Sequence, residues 1–492
     1  MSAVPQPARK SYFFGKGYRD LRNTIQGAWN RNTNSINQYK ANISKAKEKD
    51  MFIKVFLFFL NVLAMLAVYI CGFMITFFIS TINVVILLTI MSIIYIGFSI
   101  IWLIDRIYLV SNKIFTACHE CKERTLIPTY ICPGCGAKHS NLIPGSYGIW
   151  KRKCNCGTKL PTSVLNGRRK LMAECSACTH TLLDRETVPI CIPVVGGRSV
   201  GKTAFINAFS RDFIEKIAPE KGWDIELYNE EKSDIYQKIK LDYSTGNTRM
   251  TERIHNVNKA SSVSFSFFVK GAKFRPERLV HIYDIAGEVF TDNNENEVQK
   301  QYEYCQGIVL IIDPFSIPAV RSKYEVLLEP EDIAGIGRAD INGVINSFLN
   351  KLREVTGLSE SKISTVPLAI VINKIDSAGL VVDIGDVAVN KAMAADPEKF
   401  RNYADTQDYL CRMFLKQQGM ESFLNNVSIK FENNRFFACS AIGHARSKGE
   451  YLPKGVMAPM EWLFRNADNK MAKEWKDTAF NRKPLATDNI ED

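Results

Sequence analysis

From Val55 to Ile104 the chain runs for fifty residues without an Asp, Glu, Lys or Arg. A single bilayer crossing uses about 20 apolar residues. The run is too long for one crossing and long enough for two, and Ser80-Thr81-Ile82-Asn83 offers a polar point for a turn between them. A two-helix transmembrane hairpin is therefore expected over 51–105. A soluble core cannot readily enclose two all-apolar helices of that length, and a signal peptide would start earlier and end sooner. Residues 1–54 carry eleven Lys and Arg against three acids, and Arg106 and Lys113 follow the run. By the positive-inside rule this predicts an integral membrane protein with both termini in the cytoplasm.

The net charge of +12 is unevenly spread. Residues 1–54 carry +8, residues 105–187 carry +7 (thirteen basic, six acidic), and 188–492 carry −3 (39 basic, 42 acidic). The basic surplus is membrane-proximal, which suits attraction to the bilayer and its anionic headgroups at roughly 1 kcal/mol per basic side chain near the surface. No nucleic-acid partner is expected from it. In the basic N-terminal segment, 1–50, Tyr18, Leu21, Ile25, Trp29, Ile36, Tyr39 and Ile43 recur at helical spacing. They predict an amphipathic helix that lies either along the membrane or against the body of the protein.

Eight of the thirteen cysteines fall in four close pairs: Cys118/Cys121, Cys132/Cys135, Cys154/Cys156 and Cys175/Cys178. Two such pairs complete a tetrahedron around Zn²⁺ at about 2.3 Å per sulfur. A double zinc ribbon over 106–187 is expected, with two structural ions. Sequential pairing assigns the first four cysteines to one site and the last four to the other, with crossed pairing as the alternative. Disulfides need an oxidising compartment, which the predicted topology denies. A complete ligand set leaves no open position for chemistry, so the zinc would give this stretch a folded core.

The segment Gly196-Gly-Arg-Ser-Val-Gly-Lys-Thr203 fits the pattern G-x-x-x-x-G-K-[ST]. Glycines there let backbone amides face phosphates, the lysine reaches β- and γ-oxygens, and the threonine hydroxyl ligates Mg²⁺. A buried strand, 188–195, precedes it and a helical pattern, 202–214, follows, so the loop joins strand to helix as the chemistry requires. Downstream, Asn373-Lys374-Ile375-Asp376 follows another apolar run. The Asp376 carboxylate can accept from the N1–H and 2-amino group of guanine, a donor pair that adenine lacks. Asp284 ends a strand and opens Asp-Ile-Ala-Gly287, and Ser440-Ala441 ends a later one. Candidate strands are 189–195, 262–270, 278–284, 307–313, 366–372 and 434–439, with helices at 337–354 and 405–418. They predict an α/β P-loop GTPase domain over 188–468 with a mostly parallel six-stranded sheet, then a polar tail, 469–492.

Loop, D-x-x-G, N-K-x-D and S-A in that order resemble the TRAFAC class of P-loop GTPases. With the hairpin and ribbons, the whole plan looks like bacterial membrane-associated GTPases with zinc ribbons, a double-GTPase-like group of conflict or signalling systems, which implies the bacterial inner membrane. The resemblance implies that Gly196, Ser199, Val200, Gly201 and Lys202 bind phosphates, and that Thr203, Asp284 and a switch threonine, chosen as Thr251, hold Mg²⁺. The amide of Gly287 would sense the γ-phosphate. Asn373 would buttress the base loop, Lys374 would cover the guanine plane, and Ser440 and Ala441 would offer amides to the base. Glu288 stands where Ras-like enzymes have the glutamine that orients water, and Arg198 replaces a loop glycine. Lys202, Gly287, Glu288 and Arg198 are thus the catalytic candidates. The function implied is a membrane-anchored, slowly hydrolysing GTP switch read by an effector, an activator or another GTPase. The alternative is a non-hydrolysing GTP-bound scaffold.

Overall fold

A computed structural model of the chain describes every residue except 1–5, 47–49, 113, 119–120, 122–123, 183–186, 229, 247–263, 272–275, 285–304, 329, 331–332, 334, 338–339, 357–364, 445–448 and 476–492. The chain forms two compact units, one of residues 1–113 with 127–176, the other of 114–126 with 177–492.

In the first unit, α1 spans Lys16–Ala46. The apolar run forms α2, one continuous helix over Met51–Ser111. Among the described residues it is the one helix long and apolar enough to cross a membrane, and its apolar side chains lie exposed. The turn expected at Ser80–Asn83 does not form. Thr81 Oγ1 donates to the Phe77 carbonyl at 2.9 Å and Asn83 Nδ2 to the Ile79 carbonyl at 2.8 Å. These bonds one turn back satisfy the polar side chains inside the helix, so nothing there forces a reversal. The two-termini argument that rested on the hairpin falls with it. The one irregularity in α2 is a π-type turn, Val68–Gly72. Asn32 of α1 donates to the Gly72 carbonyl at 3.0 Å and to Thr76 Oγ1 at 2.7 Å. Trp29 sets its ring 5.5 Å from that of Phe73. These contacts set α1 against α2.

The rest of this unit is built of short strands. Residues Lys151–Cys154 pair antiparallel with Lys159–Pro161 on one side and with Ala8–Arg9 on the other. Thr129–Ile131 pairs with Lys138–His139 and with Ala173–Glu174. A buried ion pair joins this module to α2: Arg168 Nη2 lies 3.1 Å from Asp105 Oδ2, both side chains almost wholly inaccessible. The other Asp105 oxygen accepts from the Val164 amide at 2.8 Å, and Arg168 also donates to the carbonyls of Leu142 and Thr162.

The second unit contains a seven-stranded mixed sheet: β1 Val188–Gly196, β2 Asp224–Leu227, β3 Ser264–Lys270, β4 Arg278–Asp284, β5 Ile308–Ile312, β6 Leu368–Ile372 and β7 Asn434–Ala438, in spatial order β2-β3-β4-β1-β5-β6-β7. The five strands from β4 to β7 are parallel. β2 and β3 are antiparallel additions at one edge. β2 is the strand that the six-strand expectation lacks. Its four residues, Asp-Ile-Glu-Leu, alternate charged and apolar, and so give no continuous apolar run of the kind that marks a central parallel strand. Alternate residues of each strand feed opposite faces. Ile190, Ile192 and Val194 meet helix α3 (Lys202–Asp212), helix α4 (Glu230–Thr245) and Met457–Ala467 on one face. Cys191 and Val195 meet α5 (Ile341–Thr356) and α6 (Tyr403–Gln417) on the other.

The first residues of the polar tail expected over 469–492 are structured, and 476–492 lie outside the described residues. Asn469–Glu474 is helical, Trp475 is buried against Phe213, Trp223 and Phe464, and Trp223 Nε1 donates to Glu474 at 2.8 Å. One indole buries enough apolar surface to outweigh its polar neighbours.

Replacing Asp105 by Ala leaves Arg168 buried without its carboxylate. We expect this to cost about 3–5 kcal/mol in the unfolding of the first unit, measured as chemical denaturation in detergent. The cost should shrink sharply when Arg168 is also replaced by Ala; full additivity of the two substitutions would rule the pair out as the joint.

Candidate nucleotide-binding site and metal centres

The parallel strands deliver their carboxyl ends to one edge, where ligands of open α/β sheets bind. The 196–203 loop leaves β1 and enters α3, whose cap, Gly201, holds φ at +92°. A Cβ at Gly201 would stand 2.4 Å from Asn373 Nδ2, so both the backbone angle and the close approach require glycine. Ser199 also takes a left-handed conformation, as does Lys374 in the loop after β6. Such strain at adjoining loops persists only where surrounding contacts enforce it.

Asn373 supplies those contacts. Its Nδ2 donates to the Val200 carbonyl at 3.0 Å, and its Oδ1 accepts from the Ala441 amide at 3.1 Å. One buried carboxamide thus ties the phosphate-loop candidate to the 440–441 turn. The Ala441 amide, expected to face a base, is engaged by Asn373. The Ser440 hydroxyl accepts from the Gly443 amide at 2.7 Å, and Ser440 exchanges backbone bonds with Lys454.

Lys202 Nζ donates to the carbonyls of Gly196 and Gly197 at 3.0 and 2.8 Å, so the ammonium is curled within its own loop. Thr203 Oγ1 donates to Asp284 Oδ2 at 2.5 Å. The two residues expected to share Mg²⁺ lie side by side. A hydroxyl and a carboxylate are hard oxygen donors that suit that ion. Burial pushes the Asp284 carboxyl above its ordinary value, against the Thr203 hydrogen bond and the Lys202 charge, which pull it down. The Arg198 side chain is exposed and Asp376 is half-buried. Thr251, Gly287 and Glu288 lie outside the described residues.

Two residues join this site that the motif reading left out. Asp313, at the tip of β5, is fully buried and receives the Phe315 amide at 3.0 Å, the Gly337 amide at 3.1 Å and Lys374 Nζ at 2.7 Å. Lys374 Nζ also reaches the Ser199 carbonyl at 2.9 Å, so Asp313 positions the lysine that spans the two loops. The available signal was a carboxylate closing a continuous apolar strand, the same signal that marked Asp284. Tyr243, at the end of α4, buries its hydroxyl between the carbonyls of Ala204 and Ala441, at 2.8 and 3.1 Å. Nothing in its local sequence, a polar stretch, distinguishes it.

The eight paired cysteines gather into two groups, Cys118, Cys121, Cys175 and Cys178 in one and Cys132, Cys135, Cys154 and Cys156 in the other. The grouping is nested, which corrects the sequential assignment. The hairpin 151–161 brings Cys154 and Cys156 onto the 132–135 knuckle, and pairing of Ala173–Glu174 with Thr129–Tyr130 sends Cys175 back toward the first pair. Sulfur–sulfur distances of 3.5 Å (Cys118–Cys178) and 3.6 Å (Cys132–Cys156 and Cys135–Cys154) fit a shared ion. A regular tetrahedron with bonds of about 2.3 Å needs roughly 3.8 Å between sulfurs.

No family model matches the chain, and no curated protein matches it. Among solved structures it is similar to a bacterial selenocysteine-specific elongation factor, EF-Sec, at 12% identity and a TM-score of 0.22, over 57% of this chain and 29% of that one. It is also similar to Sup35 complexed with GMPPNP, at 15% identity and a TM-score of 0.21, over 61% and 47% of the two chains. The chain spans less than half the length of either, and overlaps this slight bear on neither the fold nor the function.

Metal analysis of the full chain should return about two zinc ions. The nested grouping makes a sharper statement: the double variant Cys121→Ala, Cys178→Ala damages one site and should keep about one ion. Loss of both ions would restore the sequential pairing.

Proposed function

We propose that the second unit binds GTP with Mg²⁺ and hydrolyses it, as a regulatory switch anchored in a membrane by the apolar helix α2. The observation that carries this reading is the Asn373 bridge, which gathers a phosphate-type loop and an N-K-x-D loop at the carboxyl ends of the sheet's parallel strands. A loop match alone would fit any phosphate ligand; the adjoining Asp376 adds the base.

The roles follow from the chemistry of each group. Backbone amides of 197–203 would receive the phosphates, and Lys202 would exchange its loop carbonyls for β- and γ-oxygens. Thr203 and Asp284 would hold Mg²⁺, which when bound neutralises charge developing on the phosphate oxygens. Asp376 would accept two hydrogen bonds from guanine, while Lys374, fixed by Asp313 and Ser199, would line the base side. Gly287 and Glu288 enter by resemblance, as the γ-phosphate amide and the group that orients water. The exposed Arg198 side chain is reachable by a second protein. Zinc in the two cysteine groups would be structural. An effector, an activator or a second GTPase subunit would read the nucleotide state.

The full chain in detergent should prefer GTP to ATP by roughly a hundredfold, the value of two hydrogen bonds to a charged carboxylate. Asp376→Ala should erase the preference, and equal affinities in the parent protein would remove GTP from the reading. Phosphate release above a Lys202→Ala control separates the hydrolysing switch from a GTP-bound scaffold. A pH dependence also follows. Because burial raises the Asp284 carboxyl, its proton competes with Mg²⁺ at higher pH than for an ordinary aspartate. Mg²⁺ affinity should be full above that raised value and fall as pH drops through it. Titrations in which affinity holds steady down to about 3.9, the unperturbed value, would show that Asp284 does not ligate the ion.

A further inference from the structure

Asp105 is the first acid after the uncharged run, and its ion pair with Arg168 fixes the 163–168 turn at the level where α2 changes from apolar to polar. Two large apolar side chains are exposed beside that turn, Trp150 at 59% and Leu165 at 62%. The two stretches of chain that carry them adjoin: Asn166 Nδ2 donates to the Trp150 carbonyl at 2.5 Å. Lys151, Lys153 and Lys170 are exposed on the same two stretches and Arg169 is half-buried there.

A second contact falls at the same end of α2. Residues 8–9 pair with 153–154, and the Ser11 amide donates to the Ser146 carbonyl at 3.0 Å. The chain then turns through Tyr12–Phe14, and the Phe14 ring lies 5.2 Å from Tyr95 and 6.3 Å from Phe98. Those partners precede Asp105 by roughly 10–15 Å of helix, at 1.5 Å per residue. Tyr12 and Phe13 are exposed at 60% and 42%, alongside the apolar part of α2. Soluble surfaces seldom display four large apolar groups around one helix end.

We propose that this edge of the first unit is a binding surface for anionic lipid headgroups. Tyr12, Phe13, Trp150 and Leu165 enter the interfacial layer, and Arg9, Lys10, Lys151, Lys153, Arg169 and Lys170 meet lipid phosphates. The proposal rests on the reading of α2 as membrane-embedded. Charge identifies the class of lipid: residues 127–176 hold eight Lys and Arg and one acid, Glu174, which is already paired with Lys138. Aromatic and basic groups also suit RNA, but here the rings flank an apolar helix, beside which acyl chains fit and a polynucleotide does not.

The test uses the full chain in vesicles of phosphatidylcholine alone and of phosphatidylcholine with phosphatidylglycerol, read by amide hydrogen exchange over 8–14 and 150–170. Exchange there should be about tenfold slower in the anionic vesicles. The quadruple variant Lys151→Glu, Lys153→Glu, Arg169→Glu, Lys170→Glu should lose that difference while retaining its zinc, which separates lost lipid contact from misfolding. Equal exchange in both vesicle types, a parent-like difference in the variant, or the same protection from added RNA in neutral vesicles overturns the proposal. Failure of the protein to float with either vesicle overturns the membrane reading as well; flotation with equal exchange overturns the headgroup surface alone.

Discussion

The carboxamide of Asn373 is the constraint on which the nucleotide-site candidate depends. Its two polar atoms face opposite ways, one to the Val200 carbonyl and one to the Ala441 amide, and both bonds are buried. A buried amide left half-satisfied costs about 1–3 kcal/mol, so the two loops cannot drift apart without a penalty felt at a third. Glycine at 201 is the corollary, because any Cβ would collide with the same Nδ2. Lys374 and Asp313 add a second bridge: the lysine reaches Ser199, and the aspartate that holds it receives two backbone amides. The site is held as a network rather than as a set of independent motifs.

That network explains which parts of the site were legible from sequence. Thr203 and Asp284 were each assigned to one ion from separate motifs, and they lie 2.5 Å apart across 81 positions of chain. Strand tips converge on one edge of a parallel sheet, so a motif at the end of an apolar run carries its own address. Asp313 had the same address but no partner motif, and its role emerges only from what surrounds it. Tyr243 had neither. Its contacts lie 39 and 198 positions away, and no local pattern encodes such pairings.

The departures from the sequence expectation have physical reasons as well. Polar residues in an apolar run predict a turn at 80–83, yet Thr and Asn can satisfy themselves on the preceding helical turn and leave the helix unbroken. Sequential pairing of the cysteines treated the ribbons as local units, whereas strand pairing between 129–130 and 173–174 folds the second knuckle inside the first. The edge strand at 224–227 is only four residues long and alternates charged and apolar side chains, so it lacks the continuous apolar run that marks the central strands and depends on its antiparallel neighbour for the ladder. The cysteine grouping and the edge strand turn on a non-local partner, whereas the unbroken helix at 80–83 turns on bonds only four residues back.

The two ends of α2 are handled differently, and the contrast bears on how the first unit is built. Along its N-terminal part α2 is accompanied by α1, and the polar atoms exposed by the π-type turn are met by Asn32. At its C-terminal end the helix instead buries a charge, Asp105, against Arg168. An ion pair so enclosed seldom adds net stability over an apolar pair. What it adds is a unique alignment: an apolar contact could slide by a turn along the helix, about 5.4 Å, whereas a carboxylate that must meet one guanidinium and one amide cannot. The ribbon module is therefore held at one level on α2, beside the boundary where the uncharged run stops.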